Sequence, residues 1–126
     1  HRGGAEEFPE NSLAAFRAAS AMGFRYLETD VHLSADGVVV AFHDDVLDRV
    51  TDGSGVVADL TWNELRDARI RGTEPIPTMA ELFETFPDLE IDPSAPEPTY
   101  LGFVSRAWRP LHLRHSPRDR SAAVRA

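Results

Sequence analysis

Alternation of hydrophobic and polar residues is strongest in residues 26–45, the most strand-like part of the chain. The two classes alternate through Leu27–Leu33, which is the period of a half-buried strand. The apolar run Val38–Phe42 indicates a second, buried strand, and Asp36-Gly37 between the two runs is a typical hairpin turn. The pattern therefore predicts two consecutive strands, Phe24–Leu33 and Val38–Phe42, joined by a tight turn.

Helix caps and turn residues divide the rest of the chain into short elements. The predicted helices are residues 12–22, 61–69 and 78–86, and a further short strand is predicted at Leu89–Ile91. Asn11 is the candidate N-cap of the first helix, and Gly23 closes it. The second and third helices each open on a capping box, in which Thr61 or Thr78 is followed three residues later by a glutamate. The polar segment between residues 47 and 57 predicts a loop.

Two carboxylates lie on one face of the first predicted strand. Glu28 and Asp30 are two residues apart, so their Cα atoms are about 6.6 Å apart in an extended chain. Both side chains could then reach one cation, although a solvated strand face carrying two acids is the alternative. His32 shares this face, and we interpret it as a strand-end residue rather than a ligand.

A histidine follows directly after the second predicted strand. His43 would stand at the mouth of the sheet, where parallel α/β folds bind their ligands. The alternative is a local role, in which His43 caps the strand or pairs with Asp44. A histidine in a similar position begins the chain, because His1-Arg2-Gly3-Gly4 is typical of the end of a strand followed by a glycine loop.

These motifs occur in the order HRG, PENS, AF, ETDVHLSADG, VVAFHDDVLDRVTDG and IPT. In that order and at that spacing, the chain resembles the glycerophosphodiester phosphodiesterase family over roughly residues 1–92. The resemblance implies an α/β fold, the TIM barrel of phospholipase C-like phosphodiesterases. Such barrels have eight βα units in ~250 residues, so the 126 residues would supply the first three units.

The same resemblance implies an enzyme of lipid and glycerol metabolism. The expected reaction is metal-dependent hydrolysis of a small-molecule glycerophosphodiester to an alcohol and glycerol 3-phosphate. His1 and His43 would be the catalytic acid–base pair, the role for which the histidine side chain is generally suited at physiological pH. Arg2 would bind the substrate phosphate with its planar guanidinium. Glu10 and Asn11 would order the first loop, which precedes the first helix, around Arg2.

A divalent metal ion is the cofactor that the resemblance implies. Glu28 and Asp30 offer hard oxygen ligands, which suit Mg²⁺ or Ca²⁺. The family places a third carboxylate on the next strand, and Asp92 occupies that place here. The lysine that usually follows in this motif is missing from the chain, which leaves Asp92 the weakest member of the predicted metal set.

Charge is distributed unevenly along the chain. The net charge is −8, but residues 1–100 carry −13 and residues 101–126 carry +5, and all 13 basic residues are arginines. The acidic part disfavours nucleic acid as a partner. No apolar segment is long enough to span a membrane, so we expect a soluble chain and favour the cytoplasm. The sequence begins on a motif without an initiator methionine, and a secreted protein with a cleaved signal therefore stays open. Oligomeric state cannot be read from the sequence.

The segment 93–126 lacks the family resemblance and is rich in proline and arginine. We expect no helix or strand in residues 106–126, as in a disordered tail or a frame-shifted end. Three functional hypotheses follow. The first is the glycerophosphodiesterase, the second is an inactive truncated fragment, and the third is a related phosphodiesterase acting on lysophospholipid or sphingolipid head groups.

Overall fold

A computed structural model describes residues 7–101 and 107–115 of the chain. In chain order its elements are α1 (Leu13–Ala21), β1 (Tyr26–Leu33), β2 (Val39–Ala41), a 3₁₀ turn (Val57–Asp59), α2 (Trp62–Leu65), β3 (Arg69–Ile70), β4 (Glu74–Pro75), α3 (Met79–Thr85), β5 (Leu89–Ile91), β6 (Thr99–Leu101) and β7 (Ala107–His115). None of the helices in the described part of the chain has the length and apolar character to cross a bilayer.

The predicted hairpin is confirmed. Strands β1 and β2 pair antiparallel, with Val31 opposite Ala41 and Leu33 opposite Val39. Gly37 supplies the positive φ of +85° that the turn requires and that most side chains disfavour. The Ser34 hydroxyl accepts from the Val38 N–H at 2.8 Å and so closes the turn from inside.

The first predicted helix forms, but its N-cap is Ser12 and not Asn11. The Ser12 hydroxyl accepts from the Ala15 N–H at 3.1 Å. Asn11 instead adopts a positive φ of +57°, which points its side chain toward β1. The third predicted helix forms, whereas the second is shorter than predicted, since it ends at Leu65 and Arg69 begins β3. Both have the expected capping boxes, at Thr61 and Thr78.

The strand order in the main sheet is β2-β1-β7-β5, and β6 also pairs with β7. Strand β7 is antiparallel to both β1 and β5, so β1 and β5 run parallel to each other without being neighbours. The expectation of no strand in residues 106–126 is therefore wrong for Ala107–His115. The predicted domain boundary at residue 92 stays a prediction.

Strand β7 forms because alternate residues in it are apolar. Leu111 and Leu113 are buried against the core, while His112 and Arg114 point away from it. Pro110 is exposed and lies where the register with β1 shifts, which is where a residue without an N–H is tolerated in a sheet.

Two hydrophobic clusters hold these elements together. One fills the space between the sheet, α1 and α3, and includes Phe16, Leu27, Val31, Leu82 and Leu113. The other lies beneath the 47–57 loop, α2 and β3, and includes Phe42, Leu47, Leu65, Ile70 and Ile76. Strand β2 belongs to both, since Ala41 joins the first cluster and Val40 joins the second, as does Phe42 directly after the strand. A strand fixed on both faces thus leads directly into His43.

Candidate active site

His43 is held in place through both its main chain and its ring. Its carbonyl oxygen accepts from Nε2 of the fully buried His32 at 2.9 Å, and the His32 ring packs edge-on against Phe42. Its Nδ1 lies 2.7 Å from Asp44 Oδ1. A carboxylate accepts, so Nδ1–H donates, and Nε2 is the nitrogen of His43 that can exchange a proton with a substrate. Pairing with Asp44, which the sequence left as an alternative, is present in the structure.

Asp44 also forms an ion pair with Arg49. Arg49 Nε donates to Oδ2 at 2.6 Å, and Nη2 donates to Oδ1 at 2.9 Å. The hydrogen bond from Arg49 is the largest cause that lowers the pKa of Asp44 to about 2, and the bond from His43 adds to it. The carboxylate is therefore ionised at neutral pH and can accept hydrogen bonds from both the His43 ring and Arg49.

The first loop is attached to this pair through Glu10. Arg49 Nη2 donates to Glu10 Oε1 at 2.7 Å, and the Glu10 side chain is only 11% exposed. The bonds from Asp44 and Glu10 raise the pKa of Arg49 above its usual range. The sequence predicts the loop that contains Arg49, but no local pattern in it indicates that this arginine joins the two loops.

Asn11 attaches the same loop to β1. The Thr29 hydroxyl donates to Asn11 Oδ1 at 2.9 Å, and both side chains are buried. Thr29 lies between Glu28 and Asp30, so the bond fixes the loop next to the two predicted metal ligands. Glu10 and Asn11 thus both connect the first loop to the candidate site.

The three predicted metal ligands do not form one cluster, although Glu28 and Asp92 line a common cavity of about 210 Å³ together with His112. Asp30 is buried and Glu28 is partly exposed on β1, whereas Asp92 follows β5. Since β7 lies between these strands, Asp92 is two strand spacings from β1, or about 9.6 Å. Within residues 7–101 and 107–115, no group of three or more acidic or histidine side chains is placed to hold one metal ion.

Asp92 instead stabilises a local turn. Its Oδ1 accepts from the Ser94 hydroxyl at 2.7 Å and from the Ser94 N–H at 3.0 Å, and these bonds lower the pKa of Asp92. His112 of β7 lies directly opposite Glu28, in the same row across the sheet as Glu28 and Asp92. The Glu28 and Asp30 pair suits a hard divalent cation by donor type, while Asp92 does not fit as its third ligand in this arrangement.

His1 and Arg2 lie outside the described residues, so the structure does not place the predicted partner of His43 or the predicted phosphate ligand. The other two histidines of the chain, His112 and His115, are on β7. His115 is buried and packs edge-on against Phe86, with 5.5 Å between ring centroids.

Comparison with known proteins agrees with the motif series. Residues 1–98 match the model of the glycerophosphoryl diester phosphodiesterase family. A glycerophosphodiester phosphodiesterase of Caldanaerobacter subterraneus is 42% identical over 95 residues, which are 70% of this chain and 39% of that protein. The chain thus spans about two fifths of the length of this relative.

Solved structures give the same result for the fold. A glycerophosphodiester phosphodiesterase from Agrobacterium tumefaciens superposes with a TM-score of 0.66 at 35% identity, covering 68% of this chain and 40% of that one. An Oleispira antarctica phosphodiesterase in complex with the product sn-glycerol-3-phosphate superposes with a TM-score of 0.64 at 40% identity, covering 67% and 37%. The fold is that of a partial TIM barrel, and the chain belongs to the glycerophosphoryl diester phosphodiesterase family.

Proposed function

We propose that this chain is the N-terminal part of a metal-dependent phosphodiesterase that hydrolyses glycerophosphodiesters to an alcohol and sn-glycerol 3-phosphate. The observation that carries the proposal is the His43–Asp44 pair at the end of β2, with Nδ1 bonded and Nε2 on the opposite side of the ring. The product bound to the Oleispira antarctica relative supports the same choice of substrate class.

In the net reaction, the P–O bond to the alcohol breaks and a new P–O bond forms to the oxygen of water. The departing alcohol oxygen needs a proton, and the water that supplies the new oxygen must lose one. We assign these transfers to His43 Nε2 and to His1, as the family resemblance implies, without assigning which is acid and which is base. Asp44 holds the ring of His43 in one orientation and one tautomer, so it is a positioning residue.

The phosphodiester anion also needs positive charge, because its own charge repels nucleophiles. Arg2 is the proposed guanidinium ligand of the phosphate. A divalent cation, Mg²⁺ or Ca²⁺, would supply further charge at Glu28 and Asp30, the two hard donors on β1. Asp30 is buried and Thr29 is bonded to Asn11, which fixes the backbone between the two carboxylates.

The experiment is hydrolysis of glycerophosphodiesters by this chain, with added Mg²⁺ or Ca²⁺ and with EDTA, compared with its His43→Ala variant. The bond from His32 goes to the main chain of residue 43, so the alanine variant keeps it and should keep its circular dichroism spectrum. We expect metal-dependent turnover that falls roughly 10²–10⁴-fold in His43→Ala, the usual contribution of acid–base catalysis.

Arg66→Gln is the control, because it changes an exposed side chain that no proposed step uses. Turnover by His43→Ala at the wild-type rate would contradict the acid–base assignment. A folded wild-type chain without turnover would favour the inactive fragment. Faster turnover of a lysophospholipid than of any water-soluble diester would favour the third hypothesis.

A further inference from the structure

His32 is a buried imidazole at the end of β1, beside the hydrophobic cluster that contains Phe42. Its side chain is fully buried, lies opposite Val40 in the register of β1 and β2, and packs edge-on against Phe42. Burial of a polar ring is costly unless its nitrogen atoms find hydrogen-bond partners. The partner of Nε2 is the carbonyl oxygen of His43, at 2.9 Å. A buried side chain of β1 is thus bonded to the residue to which we assign proton transfer.

The direction of this hydrogen bond follows from its acceptor. A carbonyl oxygen only accepts, so Nε2 of His32 carries the proton and donates it. Strand β2 ends at Ala41, and directly after it the Phe42 N–H donates to the Asp30 carbonyl at 2.9 Å. The His32 side chain therefore extends the contact between β1 and the segment after β2 by one further residue, to His43.

The carbonyl oxygen of His43 belongs to the peptide group that joins this residue to Asp44. The side chains of the two residues meet, with Nδ1 2.7 Å from Oδ1. In an extended strand consecutive side chains point to opposite faces, so this contact requires the backbone to leave the extended conformation here. The chain does bend at Asp44 and Asp45. The bond from His32 thus holds the peptide group whose orientation decides whether the ring and the carboxylate can meet.

Asp44 is also held by Arg49, but that contact lies at the surface. The Arg49 side chain is 52% exposed, and water screens ion pairs of exposed side chains. His32 is enclosed by the protein, where a hydrogen bond is stronger because the local dielectric constant is low. Of these two contacts, the one from His32 is therefore weakened less by solvent.

We propose that His32 is a positioning residue for the acid–base step: its Nε2–H holds the peptide between His43 and Asp44, so that Asp44 accepts from Nδ1 of His43 and leaves Nε2 of that ring for the substrate. The assignment deepens the proposed function and rests on it for the role of His43. Loss of the bond should lower kcat about 10²-fold, as expected for a misplacement of about 1 Å, and should leave KM nearly unchanged.

Two substitutions separate the hydrogen bond from the packing. His32→Gln keeps an N–H donor at a similar distance from Cβ and should keep most of the activity. His32→Leu keeps an apolar side chain in the core but has no donor, so it should show the loss in kcat. Leu65→Ala is the control for stability, because Leu65 is fully buried in the cluster of Phe42 and its side chain has no hydrogen-bonding group. This control should melt at a lower temperature with kcat unchanged.

Nitrogen and proton NMR of the histidine rings in the full chain gives a readout that needs no turnover. His43→Ala and His32→Gln assign the signals of the two rings. The neutral His43 ring should carry its proton on Nδ1 in the wild type, in His32→Gln and in Leu65→Ala, and should lose this preference in His32→Leu. The expected spectra from a chain that hydrolyses no diester would support the positioning role and count against the proposed activity alone.

Several results would overturn the assignment. These are an unchanged Nδ1–H signal of His43 or an unchanged kcat in folded His32→Leu, and an equal loss of that signal in His32→Gln or in Leu65→Ala. A wild-type His32 ring without a proton on Nε2 would also overturn it, and this measurement holds even if His32→Leu does not fold.

Discussion

Arg49 and Asp44 are joined at two points, and the Asp44 oxygen that accepts from Arg49 Nη2 also accepts from the ring of His43. One carboxylate thus fixes both the imidazole and the guanidinium. Through its bond to Glu10, the same arginine extends this contact to the first loop. The end of β2 and the loop that precedes α1 are therefore positioned by one connected group of charged side chains.

Stability should depend on the protonation of Asp44. Its pKa is lowered to about 2 in the folded chain from an ordinary value of 3.8, so the ion pair stabilises the fold fully above about pH 4. This stabilisation is lost as the pH falls from 4 through 2, because the folded carboxylate then takes up its proton. We expect the pair to contribute about 1–2 kcal/mol to the free energy of unfolding, since Arg49 is half exposed and water screens the pair.

Urea unfolding at several pH values between 6 and 2 measures this contribution in the wild-type chain and in Asp44→Asn. The variant should be less stable at pH 6 and should lose less stability on acidification. Asp59→Asn is the control, because that carboxylate is exposed and forms no ion pair among the described residues. Parallel pH profiles of the wild type and Asp44→Asn would refute the role of the pair.

Asn11 combines a positive φ with a buried hydrogen bond, and two substitutions can separate these effects. Asn11→Gly keeps the favourable backbone and loses the bond to Thr29, whereas Asn11→Ala loses both. We expect the alanine variant to be less stable than the glycine variant by about 1 kcal/mol. Each should be less stable than the wild type by about 1–3 kcal/mol, because the Thr29 hydroxyl loses its buried acceptor.

Denaturant unfolding of the wild type, Asn11→Gly, Thr29→Val and the double variant Asn11→Gly/Thr29→Val forms a double-mutant cycle. The coupling energy between positions 11 and 29 should be at least about 0.5 kcal/mol. Additive effects of the two substitutions would show that the bond contributes nothing, and an equal loss in the glycine and alanine variants would show that the backbone at Asn11 is not strained.

The sequence predicted those elements whose signals are local. The Asp36-Gly37 turn and the capping box at Thr78 each depend on a few adjacent residues, and both are present in the structure. The cap of α1 was assigned to Asn11 rather than Ser12, because the bond from Thr29 to Asn11 is a tertiary contact that no local pattern reveals.

Other features required contacts between distant segments. Strand β7 was missed because Pro110 and the arginines interrupt its pattern, although Leu111 and Leu113 do alternate with polar residues. Its insertion between β1 and β5 depends on pairing with β1 across some 80 residues, and it also places His112 between Glu28 and Asp92. In the candidate site, the charge of Arg49 was evident in the sequence, but its two carboxylate partners were not.

The role of β7 in the core can be tested at Leu113. This side chain is fully buried and belongs to the same cluster as Leu27 and Leu82. Leu113→Ala should lower the free energy of unfolding by about 3 kcal/mol, as expected for a leucine that leaves a cavity. Ile91→Ala is the control on the neighbouring strand, since Ile91 is 57% exposed and should lose less than about 1 kcal/mol. Equal, small effects at both positions would mean that β7 does not pack on the core.

Strand β7 also leads to a prediction about the proposed metal. Because it separates Asp92 from β1, a divalent cation should depend on Glu28 and Asp30 but not on Asp92. Calcium binding measured by calorimetry should weaken about tenfold or more in Glu28→Gln, which keeps the size of the side chain and removes one charged ligand. Asp92→Asn should bind calcium like the wild type, since the amide oxygen can still accept from Ser94 and keep the turn. An equal loss of affinity in Asp92→Asn would mean that the cation draws all three carboxylates together, and β7 would then have to leave its place between β1 and β5.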